Sequence, residues 1–330
     1  SNMSRWTLKR VDDALKAFFA RAKKASGKAG FPRFRTFARW RSFGFLEWSG
    51  ATLVDGKILI KGMDRPLRVN WHRNLPADAV IKGATFTKSG GRWFVSFQIE
   101  TDKVLSRHSQ PLSSAGIDLG VESLAIWDDG LNSGFIANQR ARSKREREIR
   151  LAQRALSRCR RGSNRRRKVK AKLARLHEHI ANVRSTYLHM QAERAARTFG
   201  TIFVEKLKIK NMTASAAGTA ADPGRNVQQK AGLNRVILDA GWGRFVHLLR
   251  YKAERAGGIV VDVDPKWTSQ ICSGCGDLVP KPLRQRQHSC SACGLEVHRD
   301  VNAARNIRAQ GLAALAASRG VIAPGEPNVT

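Results

Sequence analysis

Two short runs of this chain are near copies of each other. Residues 272–276 read CSGCG and residues 290–294 read CSACG, so Cys272 and Cys275 form one CxxC pair and Cys290 and Cys293 a second. The glycine after each pair lets the backbone turn tightly and aim its amides at the thiolates. Two such knuckles present four sulfurs, the number that closes a tetrahedral structural Zn²⁺ site. Disulfides or a redox pair do not explain two matched knuckles. The segment has little apolar bulk of its own, so metal is expected to supply its folding energy. A small zinc ribbon is therefore expected over residues 267–297, with His288 and His298 as spare donors outside a filled shell. The fifth cysteine, Cys159, reads as packing.

Charge sets the class of partner. Lys and Arg number 60 against 26 Asp and Glu, a formal net charge of +34 in 330 residues. So large an excess implies a polyanion, nucleic acid first among them. A membrane surface is the weaker reading, because no long uncharged apolar run occurs and no signal peptide opens the chain. Ser1-Asn2 before Met3 reads as a cleavage scar. Four cysteines in CxxC pairs suggest a reducing compartment, so a cytoplasmic location is expected.

The pattern along the chain is mixed. Helical spacing from Arg5 to about Lys24 puts Leu8, Val11, Leu15, Phe18 and Phe19 on one face, before SGKAGFPRFR breaks it. Residues 40–110 read as short strands in a small antiparallel barrel or sheet, the clearest being Arg92–Glu100 after a turn at Lys88–Gly91. SRHSQPLSS (106–114) reads as a linker. Three short strands follow, Ala115–Leu119, Ser123–Trp127 and Gly134–Ile136, then a basic helical hairpin over 143–199. Its first arm carries Ile149, Ala152, Leu156 and Cys159. Its second carries Val169, Leu173, Leu176, Ile180, Val183 and Tyr187 at alternating four-three spacing, a coiled-coil-like seam. Between the arms, RRGSNRRRKVKAK gathers Arg160, Arg161, Arg165, Arg166, Arg167, Lys168, Lys170 and Lys172 with almost no acid nearby. Phosphate contact is favoured over a merely solvated face. Thr201–Leu207 reads as a strand, Thr213–Gly232 as a small polar loop, Leu233–Ala256 as one long helix burying Val236, Ile237, Phe245, Leu248 and Leu249, and Gly257–Pro265 as a strand.

Within AGIDLGVE, Asp118 sits in a strand whose neighbours Ala115, Ile117 and Leu119 favour burial, while Gly116 and Gly120 allow close backbone approach. A buried carboxylate is costly unless it is paired or holds a metal. Backbone amides at a strand end would also satisfy it. Glu205 closes a later strand, and Asp300 stands near the start of a helix in HRDVNAARNI. Three acids in separate pieces are what a two-Mg²⁺ nuclease needs, and the element order matches an RNase H-like sheet.

GIDLGVESLA, FVEKLKIKNM, TSQICSGCG and CSACGLEVHRDVNAARNI together closely resemble the RuvC segments and zinc ribbon of the TnpB/OrfB proteins of bacterial insertion sequences, relatives of the type V CRISPR effectors. The basic hairpin, GRNVQQKAGLNR and GFPRFR also look like that family, and the resemblance covers nearly the whole chain. It implies an α/β RNase H-like (RuvC) nuclease domain over 111–266, containing the basic hairpin. The zinc ribbon follows, then a final RuvC-like segment and C-terminal tail over 298–330. Ahead of the domain it implies a β-barrel, oligonucleotide-binding or wedge-like, over 34–110, and a short helical recognition segment over 1–33. It further implies catalysis by Asp118, Glu205 and Asp300 with Mg²⁺, zinc on the four cysteines, a guide RNA from the transposon end, and a double-stranded DNA target in the bacterial cytoplasm, at the nucleoid. Because the chain begins inside the helical part of the family pattern, an RNA-guided binder or truncated accessory protein that does not cut is the alternative. A strand-transferring transposase is a third.

Overall fold

The computed structural model describes residues 2–23, 30–36, 39–101, 108–219, 221–282 and 284–318. The chain divides into two compact units, residues 1–104 and 105–330. The tail beyond Ser318, residues 24–29 of the break and residues 106–107 of the linker lie outside the described residues.

The first unit opens with helix α1 (Asn2–Lys23). Its strands are β1 (Ser42–Phe45), β2 (Ala51–Val54), β3 (Lys57–Ile60), β4 (Leu67–Arg68), β5 (Val80–Ser89) and β6 (Arg92–Glu100). Gly90 and Gly91 both take positive φ and close the β5–β6 hairpin in two residues, the turn expected after Lys88. The expected barrel is, among the described residues, two three-stranded antiparallel sheets, β1-β5-β6 and β2-β3-β4. Strands β2 to β4, two to four residues each, pair with one another and not with the longer sheet among the described residues. Phe45, Ala84 and Phe86 meet Ala51, Ile58 and Ile60 in one shared core. The apolar stripe expected on α1 is not its buried face: Leu8, Val11 and Phe19 are exposed and Trp6 alone is buried. The helix meets the sheet near its first turns, where the Trp6 ring fills the space a side chain at Gly44 would need.

The second unit is built on β7 (Ser114–Leu119), β8 (Ser123–Asp128), β9 (Ser133–Ala137), β10 (Thr201–Glu205) and β11 (Ile259–Val263), in the order β11-β10-β7-β8-β9. β7, β8 and β9 pair antiparallel, whereas β10 runs parallel to both β7 and β11. Period-two alternation splits β7 between two layers. Ala115, Ile117 and Leu119 face a core shared with α3 (Asn164–Thr198), α5 (Val227–Ala240) and α6 (Trp242–Arg255). Gly116 and Asp118 face α7 (Arg299–Ser318) on the other side, where Phe203, Val263 and Ile307 pack together.

Three expectations change here. The long helix over 233–256 is two helices, because Gly241 takes a left-handed φ of 77° and redirects the chain. The polar loop ends earlier than its composition suggests: Ile209–Met212 forms the short helix α4, and α5 already begins at Val227. Asn234 donates from Nδ2 to the carbonyls of Thr213 and Ala214, tying the loop to α5. The hairpin pairs α2 (Glu146–Ser157) with α3, but its seam is short. Ile149, Leu173 and Ile180 pack together, whereas Val183 is exposed because the 12-residue α2 cannot cover the 35-residue α3. Beyond it, Leu188, Ala192 and Ala195 turn into the main core.

Candidate active site and cysteine centre

The strand register brings the predicted acids together. β10 pairs with β7 in parallel up to Val204 opposite Ile117, so Glu205 and Asp118 are the next residues along both strands. Asp300 comes from above, in the first turn of α7. Gly116 makes that approach possible: a methyl group there would lie 2.0 Å from the carbonyl oxygen of Ala304. Gly120 serves a different purpose, a tight turn whose carbonyl accepts a hydrogen bond from Trp242 Nε1 (2.8 Å).

Crowding of like charges shows in the electrostatics. Burial first, then the carboxylates of Glu205 and Asp300, push Asp118 up to about 8, against the pull of Arg299 and the Leu119 amide. Burial also raises Glu205, opposed by the Thr268 hydroxyl, which donates to Oε1 at 2.5 Å. Asp300 is screened: Arg299 Nε lies 3.1 Å from Oδ1, and Arg286 Nη1 lies 3.8 Å from Oδ2. Among the described residues, the four cysteines form the metal-ligating group whose donor atoms all lie within 4.8 Å; the three carboxylates do not close to that spacing. Their chemistry nevertheless suits a hard divalent cation, since carboxylate oxygens are hard donors and burial holds Asp118 and Glu205 above the ordinary carboxylate range.

The cysteine centre is compact. Cys272 and Cys293 sulfurs stand 3.6 Å apart and those of Cys275 and Cys290 3.5 Å. A tetrahedron with Zn–S bonds of about 2.3 Å has edges of about 3.8 Å, so the set fits zinc. β12 (Gln287–Ser289) and β13 (Glu296–His298) pair antiparallel to carry the second knuckle. His288 and His298 stand outside the cluster; His288 is fully buried beside Lys281.

Sequence reasoning missed the braces that join these centres. Asn302 accepts from the Ser273 amide (2.9 Å) and donates to the Ile271 carbonyl (2.7 Å). Asn306, one turn on, donates to the carbonyls of Thr268 (2.8 Å) and Ile271 (2.7 Å). Helical i, i+4 spacing in DVNAARN puts both amides on one face, the available signal for a brace. Thr268, Arg299 and the buried Asp239 carried no such signal. Asp239 accepts from the amides of Arg142 and Ser143 and pairs with Arg184 at 2.8 Å, anchoring the basic hairpin to the core.

The hairpin tip places its cations unevenly. Arg160, Arg161, Arg165, Arg167, Lys168, Lys170 and Lys172 are exposed. Arg166 instead donates from Nη1 to the carbonyls of Leu156 (2.7 Å) and Cys159 (3.3 Å), closing the end of α2.

Residues 95–216 match the OrfB family of IS605-type elements, described as "Probable transposase", and residues 242–307 match the "Cas12f1-like, TNB domain". "Putative RNA-guided DNA endonuclease InsQ" of Escherichia coli is 35% identical over 325 residues, 97% of this chain and 77% of that protein. The chain belongs to the TnpB/OrfB family. A Streptomyces pristinaespiralis relative, "Putative RNA-guided DNA endonuclease", is 31% identical over 95% of this chain and 72% of its own length. A solved Cas12f1–sgRNA–target DNA complex aligns at 17% identity and a TM-score of 0.49, covering 70% of this chain and 46% of that one.

Proposed function

We propose that this TnpB-family chain is an RNA-guided, divalent-metal-dependent DNA endonuclease that cuts at Asp118, Glu205 and Asp300. The observation that carries the cutting centre is convergence: neighbouring parallel strands and a helix seated on Gly116 deliver three carboxylates to one sheet face. The β9-β8-β7-β10-β11 order, three antiparallel strands and then two parallel ones, supports reading the sheet as RNase H-like (RuvC). The names of the relatives support RNA guidance and a DNA target.

The three acids would hold Mg²⁺, which when bound supplies an activated water and stabilises the leaving oxygen of a phosphodiester. Thr268 orients Glu205 through its hydroxyl, and Arg299 steadies Asp300. Zinc on Cys272, Cys275, Cys290 and Cys293 would fix the segment around Ile271 and Ser273 that Asn302 and Asn306 of α7 hold, Asn306 bonding the Thr268 carbonyl as well. The exposed cations of the α2–α3 tip would grip backbone phosphates of a guide RNA drawn from the transposon end and of its double-stranded DNA target. Binding without cutting is the weaker reading, since all three acids are in place. Cleavage of guide-matched DNA by the parent chain, lost in Asp118→Ala, Glu205→Ala and Asp300→Ala while RNA binding persists, tests the proposal; a mutant that still cuts at the parent rate removes its residue from the site.

A further inference from the structure

The sheet register continues past the acids. Ile126 on β8 stands opposite Asp118, and Phe135 on β9 stands opposite Ile126. Directly opposed residues of antiparallel strands share a face. Asp118, Ile126 and Phe135 therefore form one row, from the acids to the edge of the sheet. With strands about 4.8 Å apart, Phe135 lies on the order of 10 Å from Asp118. It is 71% exposed on an edge strand, a position that usually carries charge.

Above this row lies a groove of about 350 Å³ lined by Ile126, Phe135, His298 and Asp300, so one of the three acids forms part of its wall. Glu122 and Asp300 are its acidic walls, each paired with Arg286 (3.4 Å and 3.8 Å), and Ile126 and Phe135 are its apolar floor. An apolar floor of this kind suits the face of a nucleobase. Trp127, on the opposite face, packs against Gly134 where a side chain would collide with its ring, which keeps β9 close beside β8.

We propose that Ile126 and Phe135 form a base-stacking shelf for the DNA strand at the acids. One unpaired base lies on the Phe135 ring while a neighbouring phosphate sits by Asp118, Glu205 and Asp300. Single strands offer free π faces, and each base–aromatic stack contributes substantially to their binding. The inference rests on the nuclease reading and adds a positioning subsite to it.

The test uses the full chain in the Asp118→Ala background and single-stranded oligodeoxynucleotides, each carrying one 2-aminopurine at a different position. Quenching is expected at one position, lost in Phe135→Ala and kept in Phe135→Trp, with affinity falling roughly 5- to 100-fold in the alanine variant. Because Phe135 is exposed, zinc content and thermal midpoint should not move. Equal quenching in Phe135→Ala, or none at any position, overturns the shelf. Cleavage by the parent chain separates the two claims. If it cuts and Phe135→Ala cuts equally well, the shelf alone falls. If it never cuts yet the Phe135-dependent quench is present, the nuclease reading falls and the shelf stands.

Discussion

Replacing Gly116 with alanine would drive a methyl group into the underside of α7. The new Cβ would lie 2.0 Å from the Ala304 carbonyl oxygen, 2.6 Å from the Arg308 amide nitrogen and 2.9 Å from Arg308 Cβ. The two nearest atoms are backbone, so no side-chain rotation relieves the clash. Cβ contacts under 3.0 Å essentially do not occur, which means strand and helix must part by about 1 Å. Overpacking of this kind costs about 1–3 kcal/mol, and immovable backbone argues for the upper end. Asp300 rides on the displaced helix, and a reacting group misplaced by about 1 Å costs on the order of 10²-fold in rate. Gly232→Ala is the control. It sits within α5 with nothing inside 4 Å, and there alanine should add about 0.4–1 kcal/mol. Urea denaturation and initial cleavage rates read both quantities. A Gly116→Ala protein as stable and as active as the parent would refute the claim that this glycine seats the helix.

Three further outcomes are expected. Asp118 is pushed up to about 8 in the folded chain, so between about pH 4 and pH 8 the native state holds a proton the unfolded chain has released. Stability in magnesium-free buffer should fall as pH rises through that window, and Asp118→Asn should flatten the fall; parallel urea midpoints for both proteins would contradict it. Cys290→Ser should release zinc by elemental analysis and, through Asn302, Asn306 and Thr268, lower cleavage about 10- to 100-fold; retained zinc would sink the four-cysteine assignment. Replacing Arg165, Arg167 and Lys168 with alanine, leaving the helix-closing Arg166, should flatten the slope of log affinity against log salt by about 2.7 for duplex DNA, roughly 0.9 per phosphate contact. An unchanged slope would make the tip a solvated face.

What was legible in the sequence was mostly local. The doubled knuckle announced four converging sulfurs, Gly90-Gly91 announced a hairpin, and RGSN announced a turn between two helical arms. The carboxylates could be picked out because a charge among Ala115, Ile117 and Leu119 needs a reason. Non-local choices were harder. Which strands of the first unit pair is decided by a shared core, so one barrel and two sheets read alike until the register is known. The stripe on α1 looked like a buried face, yet burial depends on what lies opposite, and Trp6 is the one residue of the helix that is buried. At Gly241 a single left-handed residue splits a pattern whose apolar spacing continues without a break. Thr268 acts on Glu205, 63 residues away on another element, and no spacing rule reaches it.

The most direct test expresses the chain with its adjacent transposon DNA, sequences the RNA that co-purifies, and offers the protein double-stranded DNA matching that RNA. Cleavage is expected in Mg²⁺, absent in EDTA, absent on mismatched DNA, and absent in Asp118→Ala protein that still carries RNA. Cutting that ignores the RNA, or that survives loss of Asp118, would contradict the account.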